Sequence, residues 1–322
     1  MRDATSEKRD AAATMVLRPV PPFRLDLTVW ALRRRPQNAI DRWDGTTYRR
    51  VIVVQGRPTE LEVRQTGSRA APRLIVSATP PLQSSSERQY VRATVGKLLG
   101  TGVDLRDWYR LAADDRRLAP LAARFTGMKP PRFPTMFEAL VNAFACQQLS
   151  LVVGLQLLNR LAAVCGVRRE SDPSHYAFPA PGDIAHRRAA DYRAIGFSRQ
   201  KVDALMTLAG GIDDGRTTFD GLARGNDQQV STRLRELRGV GRWTAEYVLL
   251  RGLGRLHIFP GDDVGAQKNL ARWLGRRTPL DYSGVSRAVQ RWQPFAGMVY
   301  FHLLLDGLSK AGVLTESRSE GR

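Results

Sequence analysis

Residues 234–254, LRELRGVGRWTAEYVLLRGLG, constrain the fold more than any other stretch of the chain. A helical run ends near Leu237, the chain turns through Gly239-Val240-Gly241, and a second helix opens at Arg242. Two glycines in three residues permit backbone angles and close approaches that a side chain blocks. Such a corner sets two helices against each other, and Leu237 and Ala245 are spaced to pack them. Amides at the start of the second helix also point outward, where the helix dipole favours an anion. A purely structural turn uses the same residues, so the corner alone leaves both readings open.

The charge balance points toward the anion. Lys plus Arg number 50 against 31 Asp plus Glu, a net charge of +19 with a pI near 10.9. A chain this basic is attracted to polyanions, nucleic acid being the commonest in a cell. A base-composition bias explains the excess equally well, since only six of the 50 are Lys. With 43% hydrophobic residues, wholesale disorder is excluded.

Cys146 and Cys165 are too few for a four-thiolate metal site, and both lie in apolar, helix-like sequence. His175, His186, His257 and His302 show no metal-ligand spacing. No side-chain metal site and no cofactor is therefore expected. The opening MRDATSEKRD lacks the apolar core of a signal peptide, and no run approaches the roughly 20 apolar residues of a membrane span. The expectation is a cytoplasmic, nucleoid-associated protein with no membrane partner.

Residues 1–18 and 313–322 are polar and charged and read as loose ends. From Phe23 to about Pro80, FRLDLTVWAL, TTYRRVIVV, TELEVRQ and RLIVSA read as four short strands. After PPLQSSSE the period becomes helical, and everything beyond Pro134 has helical spacing, with Ser150 and Ser198 as N-caps. The expected class is α+β, with a small antiparallel sheet domain over 19–115 and an all-α domain over 116–312.

About twenty residues beyond the corner comes HIFPGDDVGAQKNL, where Pro260 and Gly261 make a turn and Asp262 and Asp263 stand at a helix start. One Asp there is an ordinary N-cap. A second is not needed for capping, and the helix dipole favours its ionised form.

Taken together, FEALVNAFACQQLSLVVGLQLLNRLA, AIGFSRQKVDALMTLA, LRGVGRWTAEYVLLRGLG, FPGDDVGAQK and RWQPF resemble the helix-hairpin-helix DNA glycosylase superfamily over roughly residues 134–308. Within it, the resemblance is to the bacterial DNA-3-methyladenine glycosylase II family. It implies a monofunctional enzyme that flips alkylated bases of the 3-methyladenine and 7-methylguanine type out of double-stranded DNA and hydrolyses the N-glycosidic bond. A monomer is expected. Glycosylases for deaminated bases such as hypoxanthine, and a non-catalytic module for damaged DNA, are the alternatives.

Residue by residue, the resemblance assigns the essential carboxylate to Asp263 and leaves Asp262 to cap or support the turn. Gly239, Val240, Gly241, Arg242 and Thr244 become the DNA contacts. Trp243, Tyr247, Gln147 and Trp30 become the base pocket, whose aromatic faces suit a cationic base. Gln148 or Leu149 fills the gap left in the duplex. A monovalent cation is implied at the carbonyls of Arg235, Leu237 and Val240. Trp243 stands where lytic members carry a nucleophilic Lys, so strand cleavage loses its amine; Lys268 is the nearest substitute, with surface charge as its plainer role. Leu304 replaces a pocket Trp.

Overall fold

The computed structural model describes residues 14–169 and 172–314. Five antiparallel strands, β1 (Thr14–Leu17), β2 (Arg42–Trp43), β3 (Thr47–Val54), β4 (Arg57–Thr66) and β5 (Arg73–Thr79), form one sheet in the order β1-β5-β4-β3-β2. β3 and β4 are joined by Gln55-Gly56, both at positive φ (47° and 78°), the turn that matches strand twist. Alternation then sends Leu61, Val63, Leu74 and Val76 into one core.

Four expectations are corrected. Thr14–Leu17, placed in the loose leader, is an edge strand whose Met15 and Leu17 are buried opposite Val76 and Leu74. Residues 1–13 and 315–322 lie outside the described residues, while Leu314, expected in the loose tail, is buried. FRLDLTVWAL is not a strand: Leu25–Arg33 is a helix, α1. Its Leu25, Val29 and Leu32 enter the sheet core, and Leu27 and Ala31 enter a second, helical core. Two helical stripes, each of period three to four, interleave into an apparent alternation of two. Finally, β6 (Arg168–Arg169) and β7 (Asp172–Tyr176) form a small hairpin inside the part expected to be wholly helical. It leans on the first sheet through a bridge between Val51 and Ala177.

α2 (Ser85–Leu98) completes the sheet core. α3 (Arg106–Ala113) and α4 (Leu118–Arg124), on either side of residue 115, share the second core with α14 (Ala296–Lys310), α13 (Tyr282–Val289) and α12 (Val264–Trp273). A third core gathers α5 (Met136–Cys146), α6 (Leu151–Cys165), α7 (Pro181–Ala185), α8 (Ala189–Ala194), α9 (Arg199–Asp213), α10 (Asp227–Arg235) and α11 (Arg242–Val248). Ser150 and Ser198 cap α6 and α9. α11 runs into a π-turn, Leu249–Leu253, that passes Leu249 to the third core and Leu250 to the second.

A buried charge cluster fixes the sheet to α5. Arg50, 1% exposed, donates to Asp41 at 2.8 Å and to both oxygens of Glu138 at 2.6 Å. Removing one partner from such a buried pair strands the other charge.

Candidate active site and nucleic-acid interface

α10 and α11 meet at the glycine corner. Gly239 sits at φ +81°, and a Cβ there would lie 2.7 Å from the Cβ of Ala204 on α9, so both backbone and packing demand glycine. Gly241 is the N-cap of α11, and a Cβ there would meet nothing within 4 Å. Gly239 and Gly241 are exposed, whereas the Val240 side chain is buried, so this corner offers an incoming anion backbone rather than side chain. The Leu237 carbonyl, expected near a cation, already accepts the Val240 amide at 3.1 Å. A carbonyl has a second lone pair, so this neither makes nor blocks a cation site.

Arg242, expected to contact DNA, is committed elsewhere. Its guanidinium donates twice to Asp262, at 2.6 and 3.0 Å, and lies 3.6 Å over the ring of Tyr282. Tyr282 in turn donates to Glu246 on α11 at 2.8 Å, and Glu246 accepts the Gly261 amide at 2.9 Å. The second hairpin helix is thus tied to the Pro260–Asp262 turn, and Asp262 supports that turn rather than facing the cleft unpaired.

Asp263 caps α12. Its Oδ1 accepts the Ala266 amide at 2.9 Å, and its Oδ2 accepts the Tyr300 hydroxyl at 3.1 Å. Capping occupies one oxygen and sets the direction of the other. Burial and the neighbouring Asp263 carboxylate push the Tyr300 phenol well above its ordinary value, so Tyr300 remains a donor.

A cleft of about 990 Å3 opens beside this carboxylate. Trp243 and Tyr247, one helical turn apart on α11, stack in its wall with ring centroids 5.4 Å apart and planes 27° apart. The Tyr247 hydroxyl accepts Arg34 Nη1 at 2.9 Å, and Arg34 Nη2 donates to Asn142 at 2.7 Å. Leu304 and Lys268 also line the cleft. Trp30 does not: it lies on α1 under the Arg33 guanidinium, 4.8 Å from its ring centre, packed against the second core.

The turn between α5 and α6 forms another wall. Gln148 is at φ +54°, and it and Leu149 are exposed. Gln147, expected to meet the base, instead donates its amide to the Gly239 carbonyl at 2.8 Å and the Thr244 hydroxyl at 2.7 Å. Thr244 is only 1% exposed, so it serves this link rather than a surface contact. Lys201 of α9 clasps the turn from behind, its Nζ 3.0 Å from the Ala145 carbonyl and 2.8 Å from that of Gln147.

The fold therefore brings Asp263, Trp243, Tyr247, Gln147, Gln148, Leu149 and the glycine corner to one cleft, and leaves Trp30 out. Sequence reasoning missed Tyr300, Lys201 and Arg34. Tyr300 stands four residues before Leu304, on the same face of α14, and that spacing was a usable signal. Arg34 was hidden by reading α1 as a strand. Among the described residues, no group of three or more His, Cys, Asp or Glu side chains is placed to hold a metal. No helix among them is long and apolar enough to cross a membrane.

No protein-family model matches the chain. The chain is 29% identical over 186 residues to DNA-3-methyladenine glycosylase 2 of Escherichia coli, a match covering 58% of this chain and 63% of that protein. The chain thus spans somewhat less than two thirds of that relative's length. Its fold superimposes on the 3-methyladenine DNA-glycosylase of Archaeoglobus fulgidus with a TM-score of 0.78, at 23% identity over 94% of this chain and 100% of that one. It also superimposes on the 8-oxoguanine glycosylase/lyase of Clostridium acetobutylicum in complex with double-stranded DNA, with a TM-score of 0.71 at 14% identity over 92% and 98% of the two chains. By sequence the chain is similar to bacterial DNA-3-methyladenine glycosylases, and its fold is that of the helix-hairpin-helix DNA glycosylases.

Proposed function

We propose that this protein excises alkylated bases from double-stranded DNA as a monofunctional glycosylase, acting as a monomer in the cytoplasm at the nucleoid. The observation that carries the reading is the meeting of Asp263, anchored through one oxygen and hydrogen-bonded through the other, with the Trp243–Tyr247 stack in one cleft.

A base inside a duplex is out of reach, so it must turn out into this cleft. The glycine corner would hold a phosphate by its amides, which positions the duplex without reading sequence. Gln148 or Leu149, at the exposed tip of the neighbouring turn, would fill the gap and offset part of the unstacking cost. As the bond from C1′ to the base nitrogen breaks, its electron pair leaves with the base and positive charge grows on the sugar. A fixed carboxylate in a sheltered cleft stabilises that charge and orients the attacking water. Water adds to C1′, its proton passes to solvent or to the departing base, and an abasic sugar remains.

Hydrolysis rather than lysis rests on which amines are present. Trp243 has none, and Lys268 is the one lysine among the described residues that lines the cleft. Duplexes carrying 3-methyladenine, 7-methylguanine or 8-oxoguanine should release the methylated bases and leave strands that break only after hot alkali. Borohydride should trap no covalent adduct. An adduct that disappears in Lys268→Ala would make Lys268 a nucleophile and the enzyme a lyase. No release of any base would leave a DNA-binding module.

A further inference from the structure

Asp263 takes its orientation from two helices that lie apart in the sequence. α12 holds one oxygen, through the Ala266 amide on Oδ1. A carboxylate fixed at one oxygen can still turn about its last torsion, whose wells are broad. α14 holds the other oxygen: the Tyr300 hydroxyl, 37 residues on, donates to Oδ2 at 3.1 Å. The phenol has little freedom of its own. Its ring lies edge-on to the buried Phe259, with centroids 5.6 Å apart and planes at 87°. It meets the buried Phe301 in the same way, at 5.7 Å and 81°. The chain entering Asp263 is also clamped to the start of α14. The Gly297 amide donates to the Leu256 carbonyl at 2.7 Å. A Cβ at Gly297 would lie 2.8 Å from the carbonyl oxygens of both Leu256 and Ile258, so this chain runs against bare helix backbone. Tyr300, on the next turn of α14, therefore stands at a set distance from Asp263.

We infer that Tyr300 is a positioning residue for base excision, its hydrogen bond locking the plane of the Asp263 carboxylate so that the remaining lone pairs keep one direction in the cleft. This rests on the glycosylase reading and adds a residue to it. Each carboxylate oxygen offers about two acceptor positions, so one remains on Oδ2 for the growing positive charge or the attacking water. An anion stabilises developing charge best when it is in place before the bond breaks. A carboxylate free to swing must first be ordered, and that cost adds to the barrier. Tyr300 lines the cleft, and Asp263 is the one hydrogen-bond partner of its hydroxyl among the described residues. Kept protonated by burial and by Asp263, the phenol can only donate to the carboxylate. The plainer role, satisfying a sheltered hydroxyl, would act on stability alone.

The test is Tyr300→Phe, which removes the oxygen and keeps the ring between its two phenylalanines. Single-turnover excision of 3-methyladenine and 7-methylguanine from a duplex should fall about tenfold to 100-fold, the scale of one hydrogen bond to a charged group. Affinity for a duplex carrying a tetrahydrofuran abasic analogue should stay near its wild-type value, as should the melting temperature. The same substitution placed on Asp263→Asn separates positioning from packing. A residue that acts through the carboxylate then has nothing to act on, so the double variant should excise no more slowly than Asp263→Asn alone. An unchanged rate in Tyr300→Phe, a loss matched by weaker duplex binding, or a loss that persists on Asp263→Asn would each overturn the inference. If the wild type releases neither base, the glycosylase reading has failed and the inference falls with it. Equal release by the wild type and Tyr300→Phe overturns the inference alone.

Discussion

The side-chain amide of Gln147 lies 2.7 Å from the hydroxyl of Thr244, joining the turn at the end of α5 to the first turn of α11. The same amide nitrogen reaches the Gly239 carbonyl at 2.8 Å. The corner proposed to hold a phosphate and the turn proposed to enter the duplex are therefore one mechanical unit.

Gln147→Ala removes both bonds, each contributing about 0.5–1.5 kcal/mol net. Excision should fall about tenfold or more while affinity for undamaged duplex stays near its wild-type value. Stopped-flow fluorescence of 2-aminopurine beside the lesion should show slower base extrusion. Unaltered extrusion would confine Gln147 to a structural part.

Asp263→Asn keeps the volume of the side chain and its oxygen for the Ala266 amide, but removes the charge. Excision should drop by at least about 100-fold, the scale of losing a transition-state electrostatic group. Affinity for lesion duplex, measured by anisotropy, should hold or rise, since a carboxylate near phosphates is repulsive. Retained turnover would move the catalytic role away from Asp263.

The two corner glycines separate fold from binding. Gly239→Ala should cost about 1–3 kcal/mol of stability from its positive φ alone, with the Ala204 contact adding to it. Gly241→Ala meets nothing within the protein, so its melting temperature should barely move. A loss of duplex affinity in Gly241→Ala, for any sequence, would then report directly on close approach by DNA. Unchanged affinity at low salt would mean that the corner touches no phosphate.

His302 is buried between Trp108 and Phe125 and donates Nδ1–H to the Met298 carbonyl at 2.7 Å. Burial lowers its pKa from 6.5 to about 4. The unfolded chain takes up this proton first, so the contribution of neutral His302 to stability is full above pH 6.5 and is lost as pH falls toward 4. The loss is on the order of 3 kcal/mol. Urea unfolding across that range should show it, and His302→Gln should flatten the dependence.

Much of the site was legible because its chemistry is local. The corner, the Asp pair and the Trp243/Tyr247 spacing each sit within one or two turns of chain, where periodicity and turn chemistry speak directly. What stayed hidden depends on tertiary partners. Arg242 reads as a free cation until Asp262 and Tyr282 are seen beside it, and Thr244 reads as a surface hydroxyl until Gln147 covers it. Alternation in FRLDLTVWAL signals a strand only if one face is buried, and here two faces are.

That two-sided burial of α1 has a consequence for the cleft. A helix gripped along one stripe can roll or slide to suit a mutation, whereas α1 is meshed with the sheet core and the helical core at once, like a shaft held in two bearings. Arg34 caps the end of α1 and inherits that immobility. The cation beneath the aromatic stack is thus located by the whole molecule rather than by the pocket, and drift in pocket residues would reshape the cavity around a charge that stays where it is.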